Sequence, residues 1–415
     1  VGFTVAADGT DTHVSEAKMA DGKTGLWLVG ARGAVATTTA AGLCALQAGH
    51  AGDEGLVTQT PPFEGLPLPE WNQLVVGGHE VRNGSLVESA RELEAGRVLP
   101  PGAADRYAEP LAAIDARVRP GVVFRSGGAI EALADDGNVL LAGTPREAVD
   151  RIAADLNEFR ETNGLERVVV VLLGSTEPPV DEALLPKSWS AAEASLTDAA
   201  GCPFRSSSLY AIGAIEAGAA LVNFTPSLGA GCVAIEELAA ARGVPHAGSD
   251  GKTGETLLKS VLAPMFAMRN LRVDSWVGHN LLGNRDGAVL ADPDHKRAKL
   301  DSKQRLLAEL LGYAPQSHVS IEAIDSLGDW KTAWDHVHFR GFMGVPMTLQ
   351  FTWQGSDSAL AAPLVLDLTR LMDLAQRRGE AGAVEPLAAF FKSPLGAAPH
   401  ALSDQMARLI AWARA

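Results

Sequence analysis

Two groups of residues in this chain have types and spacings that suit chemistry. The first is a glycine turn, Gly30-Ala-Arg-Gly33-Ala-Val-Ala36. A dinucleotide pyrophosphate wants a tight turn, an unobstructed backbone and a small residue where the helix meets the sheet. It then rests on unpaired N–H groups at the helix N-terminus, where the helix dipole favours negative charge. The middle glycine of the usual G-x-G-x-x-G is absent, because Ala31 and Arg32 fill the turn, so this spacing also fits a plain α/β connection. Arg32 faces either a phosphate or solvent, and the hydroxyls of Thr37, Thr38 and Thr39 either reach the phosphates or cap the first helical turn. The second group is a set of lysines. Lys252 and Lys259 are seven residues apart, and Lys299 and Lys303 are four apart, so each pair shares one face wherever its segment is helical. Lys331 follows Asp329 in an Asp-x-Lys string. Taken alone, a lysine on a helix is most often solvent-facing. His295, His336 and His338 lie near acidic residues but match no H-E-x-x-H spacing, so they read as ordinary polar histidines and no metal is expected.

These groups need a scaffold. Gly25 to Gly30 is a short apolar run, the pattern of a strand buried on both faces. Thr37 to Leu46 predicts a helix ending before Gly49. Prolines at 61, 62, 67 and 69 mark a long loop. It leads to a strand over Leu74 to Val76, with Gly77, Gly78 and His79 at its carboxyl end. Pro145 to Phe159 predicts a surface helix whose apolar side is Ile152, Ala153, Leu156 and Phe159. Val168 to Leu173 is an unbroken run of valine and leucine and predicts a central strand. Ser208 to Ala219 as helix, Leu221 to Phe224 as strand and Ile235 to Ala241 as helix continue the alternation, which predicts a doubly wound sheet. After Asp250 the rhythm changes. Alternation over Val345 to Trp353 predicts antiparallel strands, Ala361 to Ala375 a helix, and Leu387 to Ala415 mostly helix. The simplest partition gives a nucleotide domain of residues 24–248 and 362–415, with an α+β domain of 249–361 inserted. Residues 1–23 read as a disordered lead-in upstream of a native start at Met19.

Composition narrows the function classes. With 415 residues, 47% hydrophobic and 20% charged, the chain is neither disordered nor low in complexity. A net charge of -15 argues against a nucleic-acid partner, while leaving room for a local basic site for a phosphorylated metabolite. No apolar run approaches the ~20 residues of a membrane span, and residues 1–23 lack a signal-peptide pattern. Cys44, Cys202 and Cys232 lie far apart, so no disulfide scaffold is expected and the cytoplasm is the expected compartment.

Several strings together carry the reading further. They are Trp71-Asn-Gln-Leu-Val-Val-Gly-Gly-His-Glu80, Ser175-Thr-Glu-Pro178, Asn223-Phe-Thr-Pro-Ser227, Gly248-Ser-Asp-Gly-Lys-Thr-Gly254, Gly278-His-Asn-Leu-Leu-Gly-Asn-Arg-Asp-Gly287, Leu327-Gly-Asp-Trp-Lys331 and Asp357-Ser-Ala-Leu-Ala-Ala-Pro-Leu364. In this order they resemble the signatures of the myo-inositol-1-phosphate synthase family. The resemblance implies a Rossmann-type NAD-binding domain with an inserted catalytic and tetramerisation domain, hence a homotetramer. It implies conversion of glucose 6-phosphate to 1L-myo-inositol 1-phosphate without net redox change: C5 is oxidised with NAD+, enolisation makes C6 nucleophilic, C6 attacks C1, and the ketone is reduced. Such chemistry needs charge compensation at two oxyanions and a phosphate, and lysine suits each task.

By the same resemblance the catalytic set is Lys252, Lys259, Lys299, Lys303, Lys331 and Asp329. Cofactor contacts fall on Gly30, Ala31, Arg32, Gly33, Ala34 and Val35, then on Ser175, Thr176, Asp250, Asn284, Asp286, Asp357 and Ser358. Substrate contacts fall on Asn223, Thr225, Lys252, Lys299 and Lys331. Lys331, oriented by Asp329, is expected to transfer protons, and Lys252 to meet the phosphate or an oxyanion. One departure stands out: a further active-site lysine is expected near residues 378–382, where the chain has Arg377-Arg-Gly-Glu-Ala381. That departure leaves a runner-up, the same chemistry on another sugar phosphate such as fructose 6-phosphate, giving a cyclopentane carbocycle. A simple NAD-dependent sugar-phosphate dehydrogenase would accumulate NADH, and a non-catalytic oligomeric homologue would bind no NAD.

Overall fold

The computed structural model describes residues 22–135, 139–140, 143–283 and 306–415. Val168 to Val171 are completely buried, as a strand sandwiched between helix layers requires. They belong to an eight-stranded sheet of β1 (Lys23–Val29), β2 (Leu74–Glu80), β3 (Val118–Val122), β4 (Val139–Leu140), β5 (Leu165–Leu172), β6 (Ala220–Asn223), β7 (Pro245–Gly248) and β12 (Gly382–Ala383). The spatial order is β12-β7-β6-β5-β1-β2-β3-β4, with parallel pairing throughout. From β1 the chain builds outward through β2 to β4, then returns to add β5 on the other side of β1. The order therefore reverses between β1 and β5, and ligands of such sheets bind beyond the carboxyl ends of the strands at that switch point.

Alternation along the central strands divides two cores. Leu26, Leu28, Val169 and Val171 face one layer, which contains α1 (Ala34–Gln47), α2 (Leu86–Ala95), α3 (Ala103–Arg106), α4 (Ala108–Asp115) and α11 (Asp357–Arg377). Trp27, Val29, Val168 and Val170 face the other, with α6 (Pro145–Asn163), α7 (Trp189–Ser195), α8 (Ser206–Glu216) and α9 (Val233–Arg242). A single turn, α5 (Gly128–Glu131), follows β3. The start of α6 shows how local the signals are. Thr144 and Glu147 cap each other's backbone, Pro145 occupies the first helical position, and Gly164 ends the helix at φ 60°.

The second sheet has the order β11-β10-β8-β9, from β8 (Arg272–Leu282), β9 (Gln316–Ala323), β10 (Trp330–Arg340) and β11 (Pro346–Ser356). β10 is antiparallel to both β8 and β11, whereas β8 and β9 are parallel. α10 (Gly254–Met268) covers one face, packing Ala263 and Phe266 on Trp276 and Val337.

One strand boundary differs from expectation. β2 continues through Gly77, Gly78, His79 and Glu80 instead of ending at Val76. The glycines belong inside the strand because a Cβ on Gly78 would stand 2.2 Å from the Leu28 carbonyl, and one on Gly77 would meet the Trp27 and Phe159 rings at 2.9 Å. Residues 387–415 are mostly helical, as expected, but in two pieces. A short turn (Glu385–Phe390) gives way to a loop, and helix resumes only at α12 (Leu402–Arg414). Pro394 and Pro399 have no N–H to continue a helix. The loop instead pairs with the end of β7, where Leu395 N–H donates to Gly248 at 2.8 Å and Lys392 N–H to Asp250 at 2.6 Å. No described helix is long and apolar enough to cross a membrane.

Candidate active site

A cavity of about 630 Å³ opens beyond the carboxyl ends of β1, β2, β5 and β6 and extends to the second sheet. The glycine turn forms one wall. Gly30 sits at φ +88°, and its N–H and that of Ala31 both donate to the His79 carbonyl, at 2.9 and 3.0 Å. A Cβ on Gly33 would stand 3.1 Å from the Gly30 carbonyl, and no side chain caps α1 at its Gly33 N-cap. The first-turn amides of α1 thus present a bare, positively polarised end, which fits a pyrophosphate. Glu80 marks the neighbouring strand end. Its carboxylate accepts from Arg32 N–H at 2.7 Å and from Val81 N–H at 2.8 Å, where an acidic group meets the adenosine ribose in dinucleotide folds. Arg32 lines the cavity with its guanidinium already engaged, bonded to Asp115 and the Arg82 carbonyl at 2.9 and 2.8 Å. Thr38 and Thr39 turn their hydroxyls back to Ala34 and Val35, so they serve α1 itself.

The opposite wall is the N-terminus of α10. Thr253 is its N-cap, no side chain caps it, and Thr253, Glu255 and Thr256 line the cavity. Lys331 Nζ lies 3.6 Å from where a Cβ on Gly254 would be, and 3.5 Å from Asp357 Oδ2. An ammonium beside a bare helix N-terminus makes an anion site. Asp329 does not orient Lys331. It accepts from the Ser356 and Ser358 hydroxyls at 2.6 and 2.9 Å, fixing the start of α11, and burial pushes its carboxyl above the usual range. A second ammonium enters from the proline-broken loop: Lys392 Nζ bonds Asp250 Oδ1 at 2.8 Å, and both residues line the cavity. The arginines near 378–382 do not line it. Arg377 pairs with Asp373 at 2.6 Å and Arg378 lies over the Trp412 ring.

The profile of the myo-inositol-1-phosphate synthase family matches residues 24–414. The chain belongs to that family. It is 33% identical over 404 residues to inositol-3-phosphate synthase 1 of Bacteroides thetaiotaomicron, covering 92% of this chain and 91% of that protein. The rat inositol-3-phosphate synthase 1 is 31% identical over 76% of this chain, which spans 57% of the rat protein. In three dimensions the chain is similar to inositol-3-phosphate synthase of Caenorhabditis elegans, with a TM-score of 0.85 at 24% identity over 94% of this chain and 85% of that one.

The remaining expected residues of this synthase-family chain divide clearly. Gly30, Arg32, Gly33, Ala34, Val35, Ser175, Thr176, Thr225, Asp250, Asp329, Lys331, Asp357 and Ser358 line the one cavity. Ala31 does not; it packs into the core. Nor does Lys252, a correction with a simple cause: it precedes α10, so no helix face carries it together with Lys259. Its ammonium is hydrogen-bonded to Gln405 of α12, and burial lowers its pKa to about 8. Lys259 faces the inside of α10, paired with Glu255 and set over the Trp276 ring, and is likewise outside the cavity lining. Asn223 uses its side chain locally, donating to the Ser227 carbonyl at 2.7 Å and accepting from Thr225, so it shapes the Thr225 loop without lining the cavity. Asn284, Asp286, Lys299 and Lys303 lie outside the described residues. Sequence reading missed Glu80, Thr253, Thr256 and Lys392. Glu80 was hidden because 48 residues separate it from Arg32, where about 20 are usual, although an acid directly at a strand end was a usable signal.

Proposed function

We propose that this chain is an inositol-3-phosphate synthase, converting glucose 6-phosphate to 1L-myo-inositol 1-phosphate with NAD returned to its starting state. The observation that carries the reading is the meeting, across one cavity, of a dinucleotide turn and a helix N-terminus bearing an ammonium. NAD is the cofactor of the family. Gly30, Gly33, Ala34, Val35 and Glu80 would hold its adenosine diphosphate half, with Ser175, Thr176, Thr225 and Ser358 along the cavity beyond. When bound, it supplies a two-electron oxidation at C5 and the reversal of that oxidation.

The chain's own groups do the rest. The α10 amides at Gly254 to Thr256 and the Lys331 ammonium bind the phosphate, which fixes the acyclic sugar at one end. Lys392 Nζ, positioned by Asp250 and acting as the neutral amine, takes the proton from C6, and the ammonium so formed steadies the oxyanion at C5 during ring closure. On the resemblance, Lys299 and Lys303 would serve as further phosphate or oxyanion ligands. With Lys392 at the cavity, the missing lysine near 378–382 no longer favours a five-membered product. The test is incubation with NAD and a panel of hexose 6-phosphates, with products identified by NMR and NADH followed by absorbance. Inositol phosphate without NADH accumulation is expected; steady NADH accumulation or a different carbocycle overturns the assignment.

We further infer a homotetramer built through the 249–361 domain, working in the cytoplasm. The second sheet supports this: Trp334 stacks on His279 on the face away from α10, and Phe342 and Met343 are 89% and 86% exposed at the hairpin tip. Light scattering giving a monomer mass at micromolar concentration would reject it.

A further inference from the structure

We infer that His79 is a positioning residue for the dinucleotide turn and acts only as the neutral tautomer that carries its proton on Nε2. The inference rests on the assignment of the cofactor to the Gly30–Val35 turn. His79 is joined to the turn through its backbone, since its carbonyl takes the N–H groups of both Gly30 and Ala31. Its ring, 1% exposed, is pinned at both nitrogens. Trp27 Nε1 lies 2.8 Å from Nδ1, and an indole nitrogen only donates, so Nδ1 must present its lone pair. The proton is therefore on Nε2, 3.1 Å from Asp155 Oδ2. Asp155 is in turn paired through its other oxygen with Arg151 at 3.0 Å. The Tyr210 ring closes the remaining side at 5.3 Å, its own hydroxyl held by the Val122 N–H.

The ring thus ties β1, β2, α6 and α8 together directly behind the turn. Gly77 and Gly78 let β2 approach β1 closely enough for this to happen, and His79 then fixes where the strand end sits. A second proton at Nδ1 would force two N–H groups against each other. Burial also disfavours the cation and lowers the histidine's pKa, although Asp155 opposes this. The charged groups facing the ring are Asp155 and Arg151 from α6 and Arg119 from β3, with Glu80 next along β2 and the Tyr210 phenol from α8. Among the described residues, Trp27 alone supplies a donor that forbids protonation at Nδ1. Removing it leaves Asp155 free to stabilise an imidazolium, which would make cofactor binding pH-sensitive where the native site is not.

The test uses the full chain and isothermal titration with NAD from pH 6 to 8. Native protein should show a flat affinity, with the bare-nitrogen 15N signature at His79 Nδ1 throughout. W27F should bind NAD progressively less well as the pH falls, and H79Q and D155N should each weaken binding by about tenfold, the size of one lost charge-assisted hydrogen bond. Titration of the native His79 signal in that range overturns the inference. So does wild-type affinity in folded H79Q and D155N, and if those variants do not fold, the native NMR signal and the W27F profile decide it. G33V separates the two readings: unchanged NAD affinity there removes the site assignment itself, whereas weak binding in G33V with normal binding in H79Q and D155N removes only the role of His79.

Discussion

Replacing Lys331 with alanine tests the phosphate end of the site. Its ammonium stands at the uncapped N-terminus of α10 with Asp357 3.5 Å away, and its side chain is 15% exposed. A phosphate charge about 4 Å from it gains about 4 kcal/mol at the effective dielectric of a partly exposed site. Asp357 already answers part of that field and the helix amides remain in the variant, so the net loss is smaller, about 2–3 kcal/mol. This corresponds to a rise in KM for the sugar phosphate of about 30- to 150-fold, with kcat within about fivefold of wild type. Initial rates of inositol phosphate formation over a substrate series give both constants, and inhibition by inorganic phosphate should weaken in parallel. The fold is checked by urea unfolding. A KM and a phosphate inhibition constant within about threefold of wild type would refute the cradle. A fall in kcat at unchanged KM would instead make Lys331 the proton-transfer group and exchange its role with that of Lys392.

For K392A the expected split is the reverse: kcat down by roughly 10²-fold or more at similar KM, read in the same assay. For K252M activity should persist, because the native ammonium faces Gln405 and not the cavity. Its lowered folded pKa, about 8 against 10.5, means that the unfolded chain binds more protons between those values. Native stability should therefore climb by at most about 3 kcal/mol as pH rises from 8 to 10.5, and urea midpoints of K252M should lack that climb. Asp373 is fully buried in α11, where it accepts from Thr24 and pairs with Arg167 and Arg377. D373A should lose about 3 kcal/mol or more in urea unfolding by leaving two guanidinium groups without their shared carboxylate, and a loss under about 1 kcal/mol contradicts that.

What the sequence discloses and what it hides follow from how far each determinant reaches along the chain. The β5 run is visible because burial on both faces is a property of the strand itself, and the Thr144-Pro145-Arg146-Glu147 start of α6 because capping spans one turn. The glycine turn is visible for the same reason, since strand, turn and helix lie within 25 residues of one another. Lys392 is not visible in that way. Nothing within a helical turn of it predicts a site; its place is set by a loop that two prolines free from helix and that then pairs with Asp250, 142 residues earlier. Lys252 and Lys259 fail for a related reason. Their spacing is a helical spacing, yet the helix begins at Gly254, so one faces α12 and the other β8. Spacing can say that two groups share a face only when the element's start is known, and here the start is set by the positive φ of Gly254 and by the site that its amides face. The feature that makes the anion cradle is thus the same one that separates the two lysines. Replacing Gly254 should therefore disturb the Lys331 cradle by strain before it changes the packing of either lysine.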